Sequence, residues 1–481
     1  MSDILKSMLL LFLSFNLLSF DGLASDAKAE RPNIILVFLD DAGYADFSIT
    51  GSDVPTPNID ALAKNGVQFT EFYSASPVCS ASRAALLTGR YPDRFSFKNV
   101  LFEYDKTGLP AQEDTLAEML KGAGYSTHIF GKWHLGHLQG ALPLSHGFDE
   151  YYGIPYSNDM WQYRRDRNAL NTEDEQAYVI NPKSKRSPLK LFEGDMVIKA
   201  ALTPSDLKVL TRNFTDRTID VINKNSDAPF FIYLPIAQTH IPLFVSDEML
   251  GKSGGTLYDD VIYEIDQSMG RIMAALDARN LTDNTLVIFT SDNGPWALWG
   301  DHAGSAGTLR GFKMTSFEGG IKVFAAMQWP AGFESGVKVS EPLMTIDILP
   351  TLAEITGAKP SGQKLDGRTM LPFITGDKTT PSEPHAYYNY YQNKLENIRY
   401  GKWKLHLPHP YKTLSRKGTK GFRGNYSEQD IDWSLFDLST DPSETTNVAD
   451  AYPEIFEELK KMAEEFDAEL QKTKTPMGQY E

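Results

Sequence analysis

With 481 residues, of which 41% are hydrophobic and 23% charged, the chain has the composition of a folded globular protein. It is long enough for one large domain with a smaller appendage. Its formal net charge of −16 excludes a protein that holds nucleic acid through a general positive field. An anionic ligand would therefore need cations concentrated at one place.

The amino terminus predicts a secretory signal. An apolar run over residues 8–20 follows Lys6 and ends in small residues, which indicates cleavage near Ala24 or Ser25. The alternative is an uncleaved membrane anchor, but the run is shorter than the ~20 residues that span a bilayer. We assign residues 1–24 as a signal peptide and expect an exported protein, periplasmic or secreted, without stable membrane insertion.

Continuous apolar runs predict the strands of a parallel sheet. Asn33–Leu39 has no polar alternation, which is typical of a strand covered on both faces. Three later runs are of the same kind: Ser126–Phe130, Phe230–Leu234 and Thr285–Thr290. The segments between them have helical patterns: Asp114–Gly122, Ser205–Asn223 and Tyr258–Ala278. This alternation predicts an α/β fold with a large, mostly parallel central sheet flanked by helices.

After the polar stretch 376–384 the pattern of apolar residues along the chain changes. Short aromatic segments separated by turn residues predict a small antiparallel sheet: Ala386–Tyr391, Asn397–Leu407 and Ser434–Leu438. The amphipathic segment Pro453–Gln471 predicts a helix. We therefore divide the chain into a main, site-bearing domain over residues 31–378 and a C-terminal α+β subdomain over residues 379–481.

Polar side chains follow each of the four predicted parallel strands. In an open α/β sheet, ligands bind beyond the carboxyl ends of the strands. The residues at these positions are Asp40 and Asp41, then Lys132 and His134, then His240, and finally Asp292 and Asn293. We expect them to meet at one edge of the sheet.

Four of these side chains predict a cation site: Asp40, Asp41, Asp292 and Asn293. They offer oxygen ligands, which suit Ca²⁺ or Mg²⁺ and disfavour zinc. The alternative is that the aspartate pair caps a strand end and that Asn293-Gly294 forms a turn. Their joint placement at strand ends favours the cation.

Cys79 is the only cysteine of the chain. In an exported protein a lone cysteine has no disulfide partner within the chain, so it is buried, intermolecular, reactive or modified. It falls at the start of a helix predicted over Ser80–Leu87, where the helix dipole favours an anion. Arg83 lies one turn further on the same face. The combination predicts a site for a tetrahedral oxyanion.

The segment Cys79-Ser-Ala-Ser-Arg83, followed by Thr88-Gly-Arg90, resembles the modification signature of type I sulfatases in the alkaline phosphatase superfamily. The resemblance extends from about Pro32 to Leu438. It includes further motifs: Asp40-Asp-Ala-Gly-Tyr44, Gly131-Lys-Trp-His-Leu-Gly136, His240-Ile-Pro242, Ser291-Asp-Asn-Gly-Pro295 and Leu309-Arg-Gly-Phe-Lys313. It implies an alkaline-phosphatase-like fold and hydrolysis of a sulfate ester.

The resemblance also implies a covalent modification. Cys79 would be converted to formylglycine (3-oxoalanine) by a formylglycine-generating maturation enzyme, and the hydrated aldehyde would attack sulfur. Ala81 stands where the commonest signature has proline. This departure leaves open which maturation system acts on the chain.

Roles for the other site residues follow from the same resemblance. Asp292 would accept the proton of the nucleophile, His240 would protonate the departing alcohol, and His134 would deprotonate the second hydroxyl so that sulfate is expelled. Together with Ca²⁺ or Mg²⁺, three cationic side chains would stabilise the charge of the transition state: Arg83, Lys132 and Lys313.

Aromatic and polar side chains near these motifs suit a sulfated carbohydrate, which we favour over a small aryl sulfate. The candidate substrate contacts are Asn158, Asp159, Arg164, Arg165, Trp296, Trp299 and His302. Ordinary loop packing is the alternative for this group. For the function, the alternatives are a phosphodiesterase or phosphonate monoester hydrolase of the same superfamily, and a catalytically silent protein that binds sulfated glycans.

Overall fold

A computed structural model of the chain describes residues 31–168, 174–224, 228–376 and 384–481. The predicted signal peptide, 1–24, lies outside the described residues, and so does the predicted boundary between 378 and 379. Within the described ranges, no helix is both long enough and apolar enough to cross a membrane.

The strands of the described ranges, in chain order, are β1 (Asn33–Leu39), β2 (Val67–Phe69), β3 (Phe72–Tyr73), β4 (Thr107–Gly108), β5 (Ser126–Lys132), β6 (Glu150–Ile154), β7 (Tyr163–Arg165), β8 (Tyr178–Ile180), β9 (Leu191–Glu193), β10 (Met196–Lys199), β11 (Phe230–Pro235), β12 (Thr285–Ser291), β13 (Ala325–Gln328), β14 (Val337–Val339), β15 (Leu343–Met344), β16 (Ala386–Tyr391), β17 (Lys394–Tyr400), β18 (Trp403–His406), β19 (His409–Arg416), β20 (Asn425–Ile431), β21 (Ser434–Asp437) and β22 (Gly478–Gln479). The α-helices of the same ranges are α1 (Pro57–Lys64), α2 (Cys79–Thr88), α3 (Leu116–Gly122), α4 (Pro204–Leu207), α5 (Leu210–Lys224), α6 (Leu257–Ala278), α7 (Glu318–Ile321), α8 (Ile348–Thr356), α9 (Leu371–Ile374) and α10 (Pro453–Thr473).

The large sheet has the strand order β10-β9-β6-β5-β11-β1-β12-β13-β2-β14. From β6 to β12 neighbouring strands are parallel, and the strands that flank this block, β9 and β13, run antiparallel to it. The predicted mostly parallel sheet is confirmed. Its antiparallel margins were not predicted, and the strands that begin them, β9 and β13, have only three and four residues.

Apolar side chains fill both faces of the sheet. Along β1, Ile35, Val37 and Leu39 point into a core that also contains residues of α1, α5 and α6. Ile34, Leu36 and Phe38 point to the other face, into a second core that contains residues of α2, α3 and α8. Because successive side chains of a strand alternate between faces, a strand buried on both sides needs a continuous apolar run.

Capping side chains fix where some helices begin. At the start of α6, the Thr256 hydroxyl accepts a hydrogen bond from the Asp259 amide, while the Asp259 carboxylate accepts from the Thr256 amide. Thr115 and Glu118 form the same reciprocal arrangement at α3. These capping boxes satisfy amide groups that have no partner within the first turn of the helix.

The C-terminal region contains the predicted antiparallel sheet and helix, with strand order β16-β17-β18-β21. The predicted sheet segment Asn397–Leu407 contains parts of two strands, β17 and β18, with a turn between them. Helix α10 packs on this sheet, and the rings of Tyr388 and Phe466 stack with centroids 3.7 Å apart. The β19–β20 hairpin was not predicted, because most of its residues are polar and lie at or near the surface.

Candidate functional site

The ends of four parallel strands bring the predicted site residues together. β1 lies between β11 and β12, with Leu39 opposite Ser291, so the residues that follow these strands lie at one edge. The Asp41 amide donates a hydrogen bond of 3.0 Å to Asp292 Oδ1. The side-chain amide of Asn293 donates to Asp41 Oδ1 over 2.7 Å. The predicted convergence at the carboxyl edge is confirmed for these strands.

Helix α2 places Cys79 and Arg83 beside this edge. Cys79 is the first residue of the helix and is fully buried, as is Arg83 one turn later. The Arg83 guanidinium donates a 2.7 Å hydrogen bond to Asp292 Oδ2 and a 3.3 Å one to the carbonyl of Lys132. Arg83 therefore joins the helix to two strand ends.

Two buried lysines complete the positive charge of the site. Lys132 Nζ pairs with Asp40 Oδ2 and donates a 2.7 Å hydrogen bond to Ser157 Oγ. Lys313 Nζ lies 2.7 Å from Asp41 Oδ1 and 3.3 Å from Cys79 Sγ. The carboxylates thus already have cationic partners, so crowding of negative charge alone does not demand a metal ion.

Burial and neighbouring charges shift the pKa values of two acids of the site, Asp40 and Asp292, in opposite directions. Burial works to raise the pKa of Asp40, but nearby positive charges, Lys132 foremost, hold that pKa well below its usual value. Burial, assisted by the charge of Asp40, raises the pKa of Asp292 to about 7 despite its ion pair with Arg83. The two aspartates therefore occupy distinct electrostatic environments within one cluster.

The thiol of Cys79 is not activated. Burial raises its pKa to about 12, although Lys132 and Lys313 work to lower it. At neutral pH the side chain is therefore a thiol, and the thiolate is the nucleophilic form of cysteine. As encoded, Cys79 is poorly suited to attack an ester.

Hydrogen bonds fix the orientation of both predicted catalytic histidines. His134 Nε2 lies 3.0 Å from the Leu101 carbonyl, to which it must donate, and this leaves Nδ1 as the proton acceptor of the neutral ring. That Nδ1 is buried and has no hydrogen-bond partner among the described residues. His240 Nδ1 donates to the Ile241 carbonyl over 2.6 Å, and its Nε2 lies 3.6 Å from Asp41 Oδ2. Burial lowers the pKa of each histidine.

The predicted cation site contains two oxygen atoms without hydrogen-bond partners among the described residues. Asp40 Oδ1 and Asn293 Oδ1 are buried and accept no hydrogen bond from the described residues. Ligand atoms of four residues lie within 4.8 Å of one another: Asp40, Asp41, Cys79 and His240. Asp292, whose two side-chain oxygens each accept a hydrogen bond, is not one of these four residues. Oxygens without partners beside carboxylates fit a hard divalent cation.

Several site residues have strained backbones. Within the described ranges, positive φ angles occur at Asp41 (66°), His134 (62°), Thr239 (83°) and Met314 (73°). The left-handed region is unfavourable for residues other than glycine, and such strain concentrates at functional sites. Asp41 and His134 are predicted site residues themselves. Thr239 and Met314 are next in the chain to predicted site residues.

A cavity of about 160 Å³ opens onto the cluster. Its lining includes Cys79, His240 and Lys313 together with Asp159 and Trp296. A second cavity of about 330 Å³ lies beside it and is lined by Arg164, Arg165 and Trp299, and again by Asp159. Five of the candidate substrate contacts therefore line one or both cavities.

The other two candidates have structural partners. Asn158 is fully buried, and its side-chain amide donates to the carbonyls of His240 and Pro242 over 3.2 and 3.0 Å. His302 is buried and pairs with Glu175 over 2.5 Å. Neither residue lines either cavity. Asn158 nevertheless fixes the backbone that carries His240.

Sequence reasoning missed three hydroxyl residues that support the site. Ser157 binds the Lys132 ammonium, and Thr239 Oγ1 donates to the Asp40 carbonyl. Ser74 Oγ donates to the Asp292 carbonyl over 2.5 Å. Ser157 and Thr239 each precede a predicted site residue, Asn158 and His240, and this adjacency was the available signal.

Comparison with known proteins identifies related chains. The family model "Sulfatase" matches residues 32–358, and the model "N-sulphoglucosamine sulphohydrolase, C-terminal" matches residues 312–472. Arylsulfatase A of Bos taurus is 34% identical, with 95% of this chain and 92% of that protein covered. The PsFucS1 sulfatase from Pseudoalteromonas sp. superposes with a TM-score of 0.80 at 26% identity, covering 93% of this chain and 92% of that chain. Ps i-CgsB in complex with k-i-k-neocarrahexaose gives a TM-score of 0.73 at 27% identity, covering 93% and 95%.

Proposed function

The chain belongs to the sulfatase family and is a sulfuric ester hydrolase, and from this premise we propose that it removes sulfate from a sulfated carbohydrate through a formylglycine made from Cys79. The observation that carries the proposal is the placement of Cys79. It begins helix α2, is fully buried and contacts the ammonium of Lys313.

The state of the thiol supports the modification. With its pKa raised to about 12 by burial, an unmodified Cys79 would remain protonated at neutral pH. A hydrated aldehyde at the same position would present two hydroxyl groups in place of the thiol. One would attack sulfur and the other would allow the carbonyl to re-form, which releases sulfate without water attacking the sulfur–oxygen bond.

The cluster around residue 79 suits a sulfate ester. Arg83, Lys132 and Lys313 supply positive charge, and the helix start adds the partial charge of its amide groups. We infer that Asp40, Asp41, Asp292 and Asn293 hold Ca²⁺, with Mg²⁺ as the alternative. When bound, the cation would polarise the sulfate oxygens and offset the charge of the nucleophile.

Proton transfers are assigned to the residues whose hydrogen bonds orient them. Asp292 would take the proton of the attacking hydroxyl. His240, held through Nδ1, would present Nε2 to the departing oxygen when the ring is protonated. His134 donates from Nε2 to a carbonyl, so its Nδ1 would accept the proton of the second hydroxyl.

A carbohydrate substrate is favoured by the related structure that contains a neocarrahexaose and by the aromatic side chains of both cavities. Trp296 lines the cavity at Cys79, and Trp299 lines the neighbouring one. We also propose that the chain is exported to the periplasm or the medium, where sulfated polysaccharides are accessible. This rests on the apolar run at residues 8–20. The mass of the mature amino terminus would test it.

The proposal is tested by comparing turnover of 4-nitrophenyl sulfate with that of 4-nitrophenyl phosphate. We expect the sulfate to be the better substrate, and loss of turnover in Cys79→Ala. Mass spectrometry of the peptide containing residue 79 should show the aldehyde in the active preparation. A preference for the phosphate ester would refute the sulfatase assignment, and an active preparation with only unmodified cysteine would refute the mechanism.

A further inference from the structure

The larger cavity beside the site is unusually basic. Four arginines line it, Arg164, Arg165, Arg167 and Arg423, against a single carboxylate, that of Asp159. The whole chain has 63 acidic and 47 basic residues, so the charge of this lining is opposite to that of the protein as a whole. We call this cavity, of about 330 Å³, the arginine cavity. Its volume is within the range of about 300–1,000 Å³ that is usual for ligand pockets.

The arginine cavity adjoins the cavity at Cys79. Asp159 lines both cavities. His240 lines the cavity at Cys79, and the next residue in the chain, Ile241, lines the arginine cavity. The rings of Trp296 and Trp299, which line one cavity each, lie 5.8 Å apart at a 78° angle. A ligand with its sulfate near Cys79 would therefore have its next sugar ring close to the arginine cavity.

Arg165 is built into the wall of the cavity. It is 6% exposed, and its guanidinium lies 5.9 Å from the ring centroids of both Tyr178 and Phe422. Its Nε and Nη1 donate to the carbonyls of Lys420, Asp174 and Ala177. Its Nη2 is buried and has no hydrogen-bond partner among the described residues. Among the described residues its hydrogen-bond partners are neutral carbonyls and no carboxylate forms an ion pair with it, although Glu175 is close enough to feel its charge.

The other arginines are available to a ligand. Arg164, Arg167 and Arg423 are exposed at the rim, on two separate segments of the chain. Trp299 adds a partly exposed aromatic face to the same lining. Guanidinium groups match the planar geometry of carboxylates and the oxygens of sulfate, and aromatic faces pack against sugar rings.

We propose that the arginine cavity binds a second anionic group, a sulfate or a carboxylate, on the sugar ring next to the one that is desulfated. The enzyme then prefers a polyanionic oligosaccharide over an isolated monosulfated sugar or a small aryl sulfate. This inference rests on the proposed function, because it deepens the choice of substrate at the same site.

Binding without turnover tests the inference independently of catalysis. Calorimetric titration of the Cys79→Ala protein would use three digalactosides: one sulfated on a single ring, one sulfated on both rings, and one with a sulfate on one ring and a carboxylate on the other. We expect either dianionic probe to bind about tenfold more tightly than the monosulfated one, as one charge-assisted contact provides. The stronger of the two identifies the group that the cavity accepts.

Substitutions at the rim locate the effect. Arg167→Gln combined with Arg423→Gln should abolish the advantage of the dianionic probes and leave the affinity for the monosulfated probe unchanged. The control is Arg416→Gln. Arg416 is exposed on β19, in the same hairpin as Arg423 but outside the cavity, so this variant should retain the advantage of the dianionic probes. Equal affinities for all probes in the parent protein, or an undiminished advantage in the double variant, would overturn the inference. Failure of the unsubstituted enzyme to release sulfate from any of the three digalactosides would instead count against the proposed function alone.

Discussion

Lys313 contacts both the carboxylate of Asp41 and the sulfur of Cys79, so its charge lies next to the position of the proposed nucleophile. Replacing it with methionine keeps the length of the side chain and removes the charge. We expect Lys313→Met to lower kcat for 4-nitrophenyl sulfate by about 10²–10³-fold, the usual cost of losing one group that stabilises the charge of a transition state.

The matched control for this variant is Lys338→Met, which alters an exposed lysine on β14. It should leave kcat unchanged. Mass spectrometry should show the same fraction of formylglycine in both variants, so that a loss of activity is not a loss of maturation. A Lys313→Met enzyme with normal kcat would contradict the role of this ammonium.

The cation proposal predicts a stability effect that is independent of activity. A ligand that binds only the folded state stabilises it by about 2.7 kcal/mol at one hundred times its Kd. The melting temperature of chelator-treated protein should therefore rise with added Ca²⁺. Asn293→Ala removes the orphaned Oδ1 and should shift this response to higher Ca²⁺. A melting temperature that does not respond to Ca²⁺ or Mg²⁺ would contradict the assignment.

At the scale of elements, the 3-10 helix Pro92–Phe95 contains a buried acid, Asp93, that forms no ion pair among the described residues, although the charge of Lys474 works to lower its pKa. Burial raises the pKa of Asp93 to about 8 from a usual 3.8, and Asp467 adds to the effect. Between these two values the folded state retains a proton that the unfolded chain has released. The contribution of Asp93 to the stability of the protein should therefore fall as the pH rises from about 4 to about 8.

Asp93→Asn removes this proton uptake. We expect the variant to gain about 1–3 kcal/mol of unfolding free energy at pH 8 and to gain little at pH 4. Chemical denaturation at both pH values would measure the difference. The control Asp430→Asn alters an exposed carboxylate on β20 and should show no such dependence. An equal effect of Asp93→Asn at both pH values would show that packing, and not the buried charge, is responsible.

Elements with a strong local signature were predictable from the sequence. The run Asn33–Leu39 predicted β1 with its observed ends, and the helix expected over Ser80–Leu87 is α2, longer by one residue at each end. Other features depend on partners distant in sequence. The hydroxyl of Ser157 is significant only because Lys132 is folded against it, and the hairpin that supplies Arg423 has no apolar pattern of its own. Composition and spacing carry no record of such contacts.

At the scale of the whole molecule, a buried network of charged side chains joins the C-terminal sheet to helix α7, which precedes a strand of the large sheet. Lys404 on β18 is fully buried, and its Nζ lies 3.0 Å from carboxylate oxygens of both Glu318 and Glu444. Glu318 begins α7, which precedes β13 of the large sheet, and its carboxylate also accepts a hydrogen bond from Tyr73. These contacts imply that the two regions unfold together.

Removing one member of a buried ion network leaves the others uncompensated and costs about 3–5 kcal/mol. We expect Lys404→Met to lower the melting temperature of the whole protein while calorimetry still shows a single transition. The control Lys402→Met alters a neighbouring lysine that is half exposed and pairs with Asp437 at the surface, and it should change little. Two separate transitions, only one of them shifted, would show that the regions fold independently.

Under the proposed mechanism, the complete burial of Cys79 would also determine when maturation can take place. An enzyme that modifies this side chain must enclose it, and in the folded protein helix α2 and the strand ends already do so. Formation of the proposed aldehyde would therefore precede closure of the fold, and the chain would have one opportunity for it, before folding is complete. Protein that folds with an intact thiol should stay inactive when exposed to the maturation enzyme, and should gain the aldehyde only after unfolding. Catalytic competence is thus a property of the history of each molecule as well as of its sequence.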